Sequence, residues 1–132
     1  SGRFQRILAD TLAANAKRKV ERVIMCSGKV YFDLEEAREQ RKLETPILRL
    51  EQLYPLTTEH VLAALAPYAA GTPVIWLQEE PENMGAWAFV RPLLEEGFGG
   101  RWPLRYVGRA RSASPSEGSM AWHAAMKRAT SS

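Results

Sequence analysis

The sequence predicts an α/β domain in three layers (α/β/α), with helices on both faces of a mostly parallel open sheet of four or five strands. Two observations carry this. Four times the chain passes from a short apolar run to a longer stretch with helical spacing, the alternation that parallel strands joined by crossover helices produce. The short runs are apolar at successive positions, as strands covered on both faces require. At 132 residues there is material for one core and not for two. Residues 20–130 are assigned to that core and residues 1–19 to an N-terminal edge strand or linker.

Taken in order, Arg3–Leu8 reads as a short edge strand, antiparallel if it joins the sheet, and Asp10–Lys19 as an Ala-rich helical stretch or linker. The first core strand is Val20–Cys26. The helix after it carries Leu34, Ala37 and Arg41 on one face, and Asp33 to Glu36 reads as a capping box at its start. Ile47–Leu53 is the second strand, followed by a helix with Val61, Leu62, Leu65 and Tyr68 on one face and Gly71-Thr72-Pro73 as its stop. Val74–Leu77 is the third strand. In the next helix Trp87, Val90 and Leu94 share a face, Pro92 predicts a kink or break near Val90 and Arg91, and Gly97 to Gly100 end it. Leu104–Val107 is the fourth strand. A last helix places Met120, Ala121, Ala124 and Ala125 together behind a capping box from Ser114 to Glu117, with Pro115 in the first helical position.

Composition removes several function classes. Charged residues are 25% and apolar residues 45%, ordinary for a globular domain. Eighteen Lys and Arg against fifteen Asp and Glu leave a charge of +3, and the basic residues are scattered, so no nucleic-acid stripe is present. No apolar run reaches the roughly 20 residues of a membrane span. One cysteine, Cys26, cannot close an internal disulfide and reads as a small packed hydrophobe. Two histidines and one cysteine fall short of a structural zinc site, and no metal ligands are assigned. Neither GxxxxGK[ST] nor GxGxxG nor GxSxG occurs.

In a doubly wound sheet the functional edge lies outside the carboxyl ends of the strands. Four loops meet that description: Cys26-Ser27-Gly28-Lys29, Glu51 to Pro55, Gln78 to Trp87, and Gly108 to Pro115. Gly28 reads as the backbone device of a strand-to-helix turn, and Lys29 as an anion contact. Adjacent Glu79 and Glu80 allow a general acid/base pair, or a carboxylate that caps a helix or pairs with an arginine of another domain. Arg109, Arg111, Ser112 and Ser114 precede a helix N-terminus, where a phosphate or carboxylate is favoured; the other reading is a plain Ser114 cap with solvated arginines. His60 reads as a solvated or capping group beside Thr57 or Thr58, and His123 as surface packing beside Trp122. Trp76, Trp87, Trp102 and Trp122 read as packing and interface anchors. No complete catalytic set emerges.

The same loops carry a resemblance. Cys26-Ser27-Gly28-Lys29-Val30-Tyr31-Phe32-Asp33-Leu34 is similar to the start of the C-terminal domain of the 2-oxoglutarate dehydrogenase E1 component. Arg49-Leu50-Glu51-Gln52-Leu53-Tyr54-Pro55 resembles its second signature. The third is Gln78-Glu79-Glu80-Pro81 followed by Asn83, Gly85, Ala86 and Trp87. The fourth is Tyr106-Val107-Gly108-Arg109 with Ser112-Ala113-Ser114-Pro115 and Gly118. The four stand in the family's order and spacing over residues 3 to 128. The broader relative is the transketolase C-terminal domain.

The resemblance implies a non-catalytic structural and regulatory domain. The family's enzyme depends on thiamine diphosphate and magnesium, decarboxylates 2-oxoglutarate and passes the succinyl group to the lipoyl arm of an E2 succinyltransferase in the tricarboxylic acid cycle. The family holds the cofactor on other domains, and the GDG triplet of its metal motif is missing from this sequence. The implied partners are the other domains of the E1 chain, a homodimer partner and E2, in the bacterial cytoplasm or the mitochondrial matrix. Glu79, Glu80, Asn83, Trp87 and Tyr54 would then make interdomain or dimer contacts. Lys29, Arg109, Arg111, Ser112 and Ser114 would contact an anionic effector. Two other readings use the same loops: a free-standing α/β nucleotide-binding module, against which the missing phosphate-binding glycines count, and the equivalent domain of another thiamine enzyme such as a transketolase or a branched-chain E1. With its covered surface bared, the isolated chain is expected to self-associate, which sedimentation at high concentration checks.

Overall fold

The computed structural model describes residues 7–8, 20–51, 56–108 and 118–130, residues 8 and 118–121 by backbone alone. Its elements are β1 (Ile7–Leu8), β2 (Val23–Ser27), α1 (Gly28–Gln40), β3 (Ile47–Leu50), α2 (Thr58–Leu65), β4 (Val74–Gln78), α3 (Gly85–Phe98), β5 (Leu104–Gly108) and α4 (Gly118–Thr130). They form one sheet in the order β1-β3-β2-β4-β5. The four core strands run parallel, and β1 pairs antiparallel with β3 through Ile7 opposite Leu50 and Leu8 opposite Arg49. The predicted sheet, including its antiparallel N-terminal edge, is the observed one.

The strand sequences explain the layering. Because side chains alternate across a strand, Val23, Met25, Val74 and Trp76 enter one core, together with Val61 and Leu65 of α2 and Val90, Leu94 and Phe98 of α3. Ile24, Cys26, Ile75 and Leu77 enter the other, with Val30, Leu34 and Ala37 of α1 and Trp122, Ala125, Met126 and Ala129 of α4. From β2 the chain steps to β3 on one side. It then crosses back over β2 to β4, and on to β5. Crossovers of a single hand place α1 on one face and α2 and α3 on the other, as found. The order reverses between β2 and β4, so the loops leaving those two strands flank the crevice that the fold favours for ligands and partners.

Several boundaries differ from the sequence expectation. α1 begins at Gly28 with Ser27 as its extended N-cap (ψ 157°), directly off the strand, so Asp33 lies inside the helix and caps nothing. Arg41 is not on the buried face; Arg38 is, its guanidinium donating to the carbonyl of Thr45 at 3.0 Å. β2 starts at Val23 rather than Val20 and β3 ends at Leu50 rather than Leu53. α2 ends at Leu65, short of Gly71. α3 runs without a break from Gly85 to Phe98 with Pro92 inside it. Ala88, whose carbonyl loses its donor there, and Pro92 are both exposed, so the freed carbonyl is open to water. In α4 the buried face among the described side chains is Trp122, Ala125, Met126 and Ala129; of the predicted set Ala125 lies on it, Ala124 is half-buried, and the side chains of Met120 and Ala121 lie outside the described residues. Its C-terminus is held by Arg22, which donates to the carbonyl of Thr130, and by Arg105, which donates to the carbonyls of Arg128 and Ala129 at 2.9 and 3.4 Å. The segments Asp10–Lys19 and Ser114–Glu117 lie outside the described residues.

The C-terminus of α1 is a Schellman motif. Leu43 N–H bonds the carbonyl of Arg38 at 3.0 Å, Lys42 N–H bonds that of Glu39 at 3.1 Å, and Lys42 takes the left-handed position at φ 55°. Glycine adopts that geometry without the side-chain clash lysine bears. Lys42→Gly is therefore expected to stabilise the domain by about 0.5–1 kcal/mol, read as a rise in the urea midpoint.

Candidate functional site

The four parallel strands end on one rim. Ser27 pairs with Leu50, Cys26 with Leu77, and Gln78 with Gly108. Lys29, Glu51 and the segment Glu79–Met84 consequently leave the same edge of the sheet, and the chain departs β5 at Gly108 on that edge too.

Gln78 organises the central loop. It closes a strand whose residues are all buried, faces the same side as Trp76, and is itself 2% exposed. Its carboxamide is fully engaged at both ends, the two hydrogens of Nε2 being shared among three carbonyls. Oε1 accepts from Trp76 Nε1 at 2.9 Å and from the main-chain N–H of Trp87 at 2.8 Å. Nε2 donates to the carbonyls of Glu80, Pro81 and Met84 at 3.2, 2.9 and 2.8 Å. A buried amide that meets all its partners is stabilising, whereas a half-met one is costly. The Tyr106 hydroxyl donates to the Glu80 carbonyl at 2.7 Å. The Glu80 side chain folds back over Gly85, where a Cβ would fall 2.9 Å from its carboxyl carbon and Oε1. Gly85 sits at φ 67°, a conformation that favours glycine, and a side chain there would also push the Glu80 carboxyl away. The Glu80 carboxyl thus lies against the N-terminus of α3, the dipole-favoured place for it. Glu79 is exposed.

Trp87 is not a surface residue. It is 4% exposed, stacked on Trp76 (ring centroids 6.2 Å, 28° between planes) and tilted against Tyr106 at 5.7 Å. Little of its area is left at the surface, and its main-chain N–H ties it to Gln78 beneath the loop. Its indole N–H is buried with no hydrogen-bond partner among the described residues. Trp87→Phe removes that unmet donor, whereas Trp76→Phe removes a donor that is paired. Urea denaturation is expected to show Trp87→Phe costing less than Trp76→Phe by about 1–2 kcal/mol.

On the α1 side of the crevice the Glu51 side chain occupies the space a methyl on Gly28 would need, against the first turn of α1. A side chain at Gly28 would have to displace the exposed Glu51 carboxylate, while its φ is ordinary. Arg49 projects from β3 over the rings of Tyr31 and Phe32, 4.5 and 5.4 Å from their centroids, a cation–π arrangement. Tyr31 in turn donates to Glu35 at 2.9 Å. Cys26 is fully buried beneath, and burial pushes its thiol far above the usual range, so it is no nucleophile. Thr57 and His60 form a reciprocal cap on α2. His60 N–H donates to Thr57 Oγ1 at 3.4 Å, and His60 Nδ1 accepts from Thr57 N–H at 3.0 Å, the capping role expected of His60. Half-buried His123 meets Gln40 at 2.8 Å, linking α4 to α1.

Of the residues singled out from the sequence, Lys29, Glu79, Glu80 and Asn83 lie on the rim, exposed except for half-buried Glu80. Tyr54, Arg109, Arg111, Ser112 and Ser114 lie outside the described residues. Gln78 and Arg49 had no assigned role although both stand in the quoted motifs. Their signal was a polar residue within an otherwise apolar strand, which a buried sheet tolerates only when it is bonded or stacked. Among the described residues no group of three or more His, Cys, Asp or Glu is placed to hold a metal ion, and no helix is long and apolar enough to cross a membrane.

Comparison with known proteins assigns this arrangement. The family "2-oxoglutarate dehydrogenase C-terminal" matches residues 1–131. The 2-oxoglutarate dehydrogenase E1 component of Cupriavidus necator is 46% identical over 123 residues, 92% of this chain and 13% of its own length. That of Haemophilus influenzae is 44% identical over 124 residues, 93% of this chain and 13% of its own. That of Brucella abortus strain S19 is 39% identical over 141 aligned positions, 92% of this chain and 13% of its own. The chain thus spans 13% of the length of these curated relatives. A transketolase from Pichia stipitis, solved with sedoheptulose-7-phosphate, superposes with a TM-score of 0.50 at 14% identity, over 95% of this chain and 18% of that one. At that identity the likeness is one of fold. By its whole-length match and its E1 relatives, the chain belongs to the 2-oxoglutarate dehydrogenase C-terminal family.

Proposed function

We propose that this chain is the C-terminal domain of a thiamine diphosphate-dependent 2-oxoglutarate dehydrogenase E1 chain, and that it holds the enzyme together rather than performing its chemistry. The observation that carries this is the family match over residues 1–131 in a chain that spans 13% of its E1 relatives. Residues 20–130 act as one unit, with residues 1–19 as edge strand and linker. The rim of Lys29, Glu79, Glu80 and Asn83, with Tyr54, faces the neighbouring domain of the E1 chain and supports its homodimer. Arg109, Arg111, Ser112 and Ser114, with Lys29, contact an anionic effector. The full-length enzyme decarboxylates 2-oxoglutarate and delivers the succinyl group to an E2 partner, in the bacterial cytoplasm or the mitochondrial matrix. Thiamine diphosphate with magnesium would supply the carbanion chemistry when bound. The described residues offer neither a carboxylate cluster for the metal nor a phosphate loop, so no step is assigned to them.

The test compares the full-length E1 chain with one lacking this domain. Loss of the dimer in sedimentation and of 2-oxoglutarate decarboxylation, with both restored by the separately folded domain, is expected. A truncated chain that remains dimeric and active sinks the reading. Tight calorimetric binding of thiamine diphosphate to the isolated chain sinks it as well.

A further inference from the structure

We infer that Gln78 is the positioning residue of a preformed docking tip: its buried carboxamide fixes the Glu79–Met84 loop in one shape, and Met84 at the end of that loop seats on the remainder of the E1 chain. This rests on the reading of the preceding subsection and names the part of the rim that makes the contact. An ordinary surface turn leaves its carbonyls to water. Here the carbonyls of Glu80, Pro81 and Met84 all turn inward to one amide nitrogen, and Tyr106 takes the Glu80 carbonyl as well. With the Glu80 side chain folded back on Gly85, the loop turns Glu82, Asn83 and Met84 outward. Met84 is 55% exposed.

A methionine held out to water on a backbone anchored from beneath is set up to bind with little ordering cost. The occupant follows from length. In the E1 relatives this domain is 13% of a single chain, so the bulk of that chain is tethered to it. Tethering makes the docking intramolecular, and a single apolar anchor on a rigid loop is enough at such effective concentrations.

Hydrogen–deuterium exchange on the full-length E1 chain and on the isolated 132-residue chain tests this, with wild type, Gln78→Glu and Met84→Ser. In the wild type, residues 79–84 are expected to exchange about tenfold or more slowly in the full-length chain. Remote segments protected by docking will be visible in the same experiment. Gln78→Glu puts an acceptor where the loop needs a donor. It should release residues 79–84 and the remote segments together while β2 and β4 stay protected. Met84→Ser should release the remote segments and leave the loop of the isolated chain as it was, so the inference does not depend on Gln78→Glu folding.

Release confined to residues 79–84, or remote segments indifferent to Met84→Ser, overturns the inference and leaves domain docking intact. Slowing at residues 27–31 or 105–108 but not at 79–84 does the same, by moving the contact elsewhere on the rim. If no rim segment slows in the full-length chain, the docking reading itself falls and takes the inference with it.

Discussion

Gln78→Leu is expected to destabilise the isolated domain by about 2–6 kcal/mol, the sum of two orphaned buried donors at roughly 1–3 each. Leucine is close to glutamine in volume, so no large cavity opens and the cost is that of polar groups left unmet. Trp76 Nε1 and the Trp87 N–H both lose their acceptor in a dry core. The Pro81 carbonyl keeps the Met84 N–H at 2.9 Å, and the Met84 carbonyl, which belongs to an exposed residue, recovers with water once the loop relaxes. Glu80 keeps Tyr106. Against the roughly 5–15 kcal/mol by which a domain is stable, the loss is large enough to unfold a good fraction of the chain at moderate urea. Denaturation followed by tryptophan fluorescence measures it. A change below about 1 kcal/mol would mean the network does not hold the loop.

Trp76→Ala is expected to cost about 3–5 kcal/mol. Trp76 has no exposed surface, lies in a strand flanked by β2 and β5, and stacks on Trp87. Its removal opens a void between the sheet and α3 that a close-packed strand cannot collapse to fill. Its cost should not add to that of Gln78→Leu. Without the indole there is no Trp76 N–H left to orphan, so the double variant should fall short of the summed single costs by about 1–3 kcal/mol. Urea unfolding of the two single variants and the double variant measures this coupling, and strict additivity would show that the two side chains are energetically independent.

How far the sequence foretold these features follows from the range over which each is set. The strands were legible because Val23, Ile24 and Met25, or Val74, Ile75 and Trp76, are apolar on both faces, and only a covered sheet takes that pattern. The common rim followed from strand order. The start of α1 did not, because Ser27 caps by backbone conformation without a side-chain bond, while Asp33 offers the right residue type in the wrong turn. On α4 the sequence found Ala125 but not Trp122, Met126 and Ala129, because alanines fit either face and only Trp122 and Met126 choose between them. Gln78 escaped because its partners lie two to nine residues away in a loop with no periodicity. That Trp87 is buried against Trp76 and Tyr106 and tied to Gln78 was not legible either, because those partners are set by the fold and not by its neighbours in sequence.

Cys26, on the β2 face buried beneath α1 and α4, gives the chain a native chemical reporter. It is the one thiol in the sequence, has no accessible surface, and is held protonated by its surroundings. An alkylating dye therefore has no route to it while the sheet and α1 stay together. Its labelling rate counts the openings of the domain, so the lifetime of the folded state can be timed by mass spectrometry without introducing any foreign group.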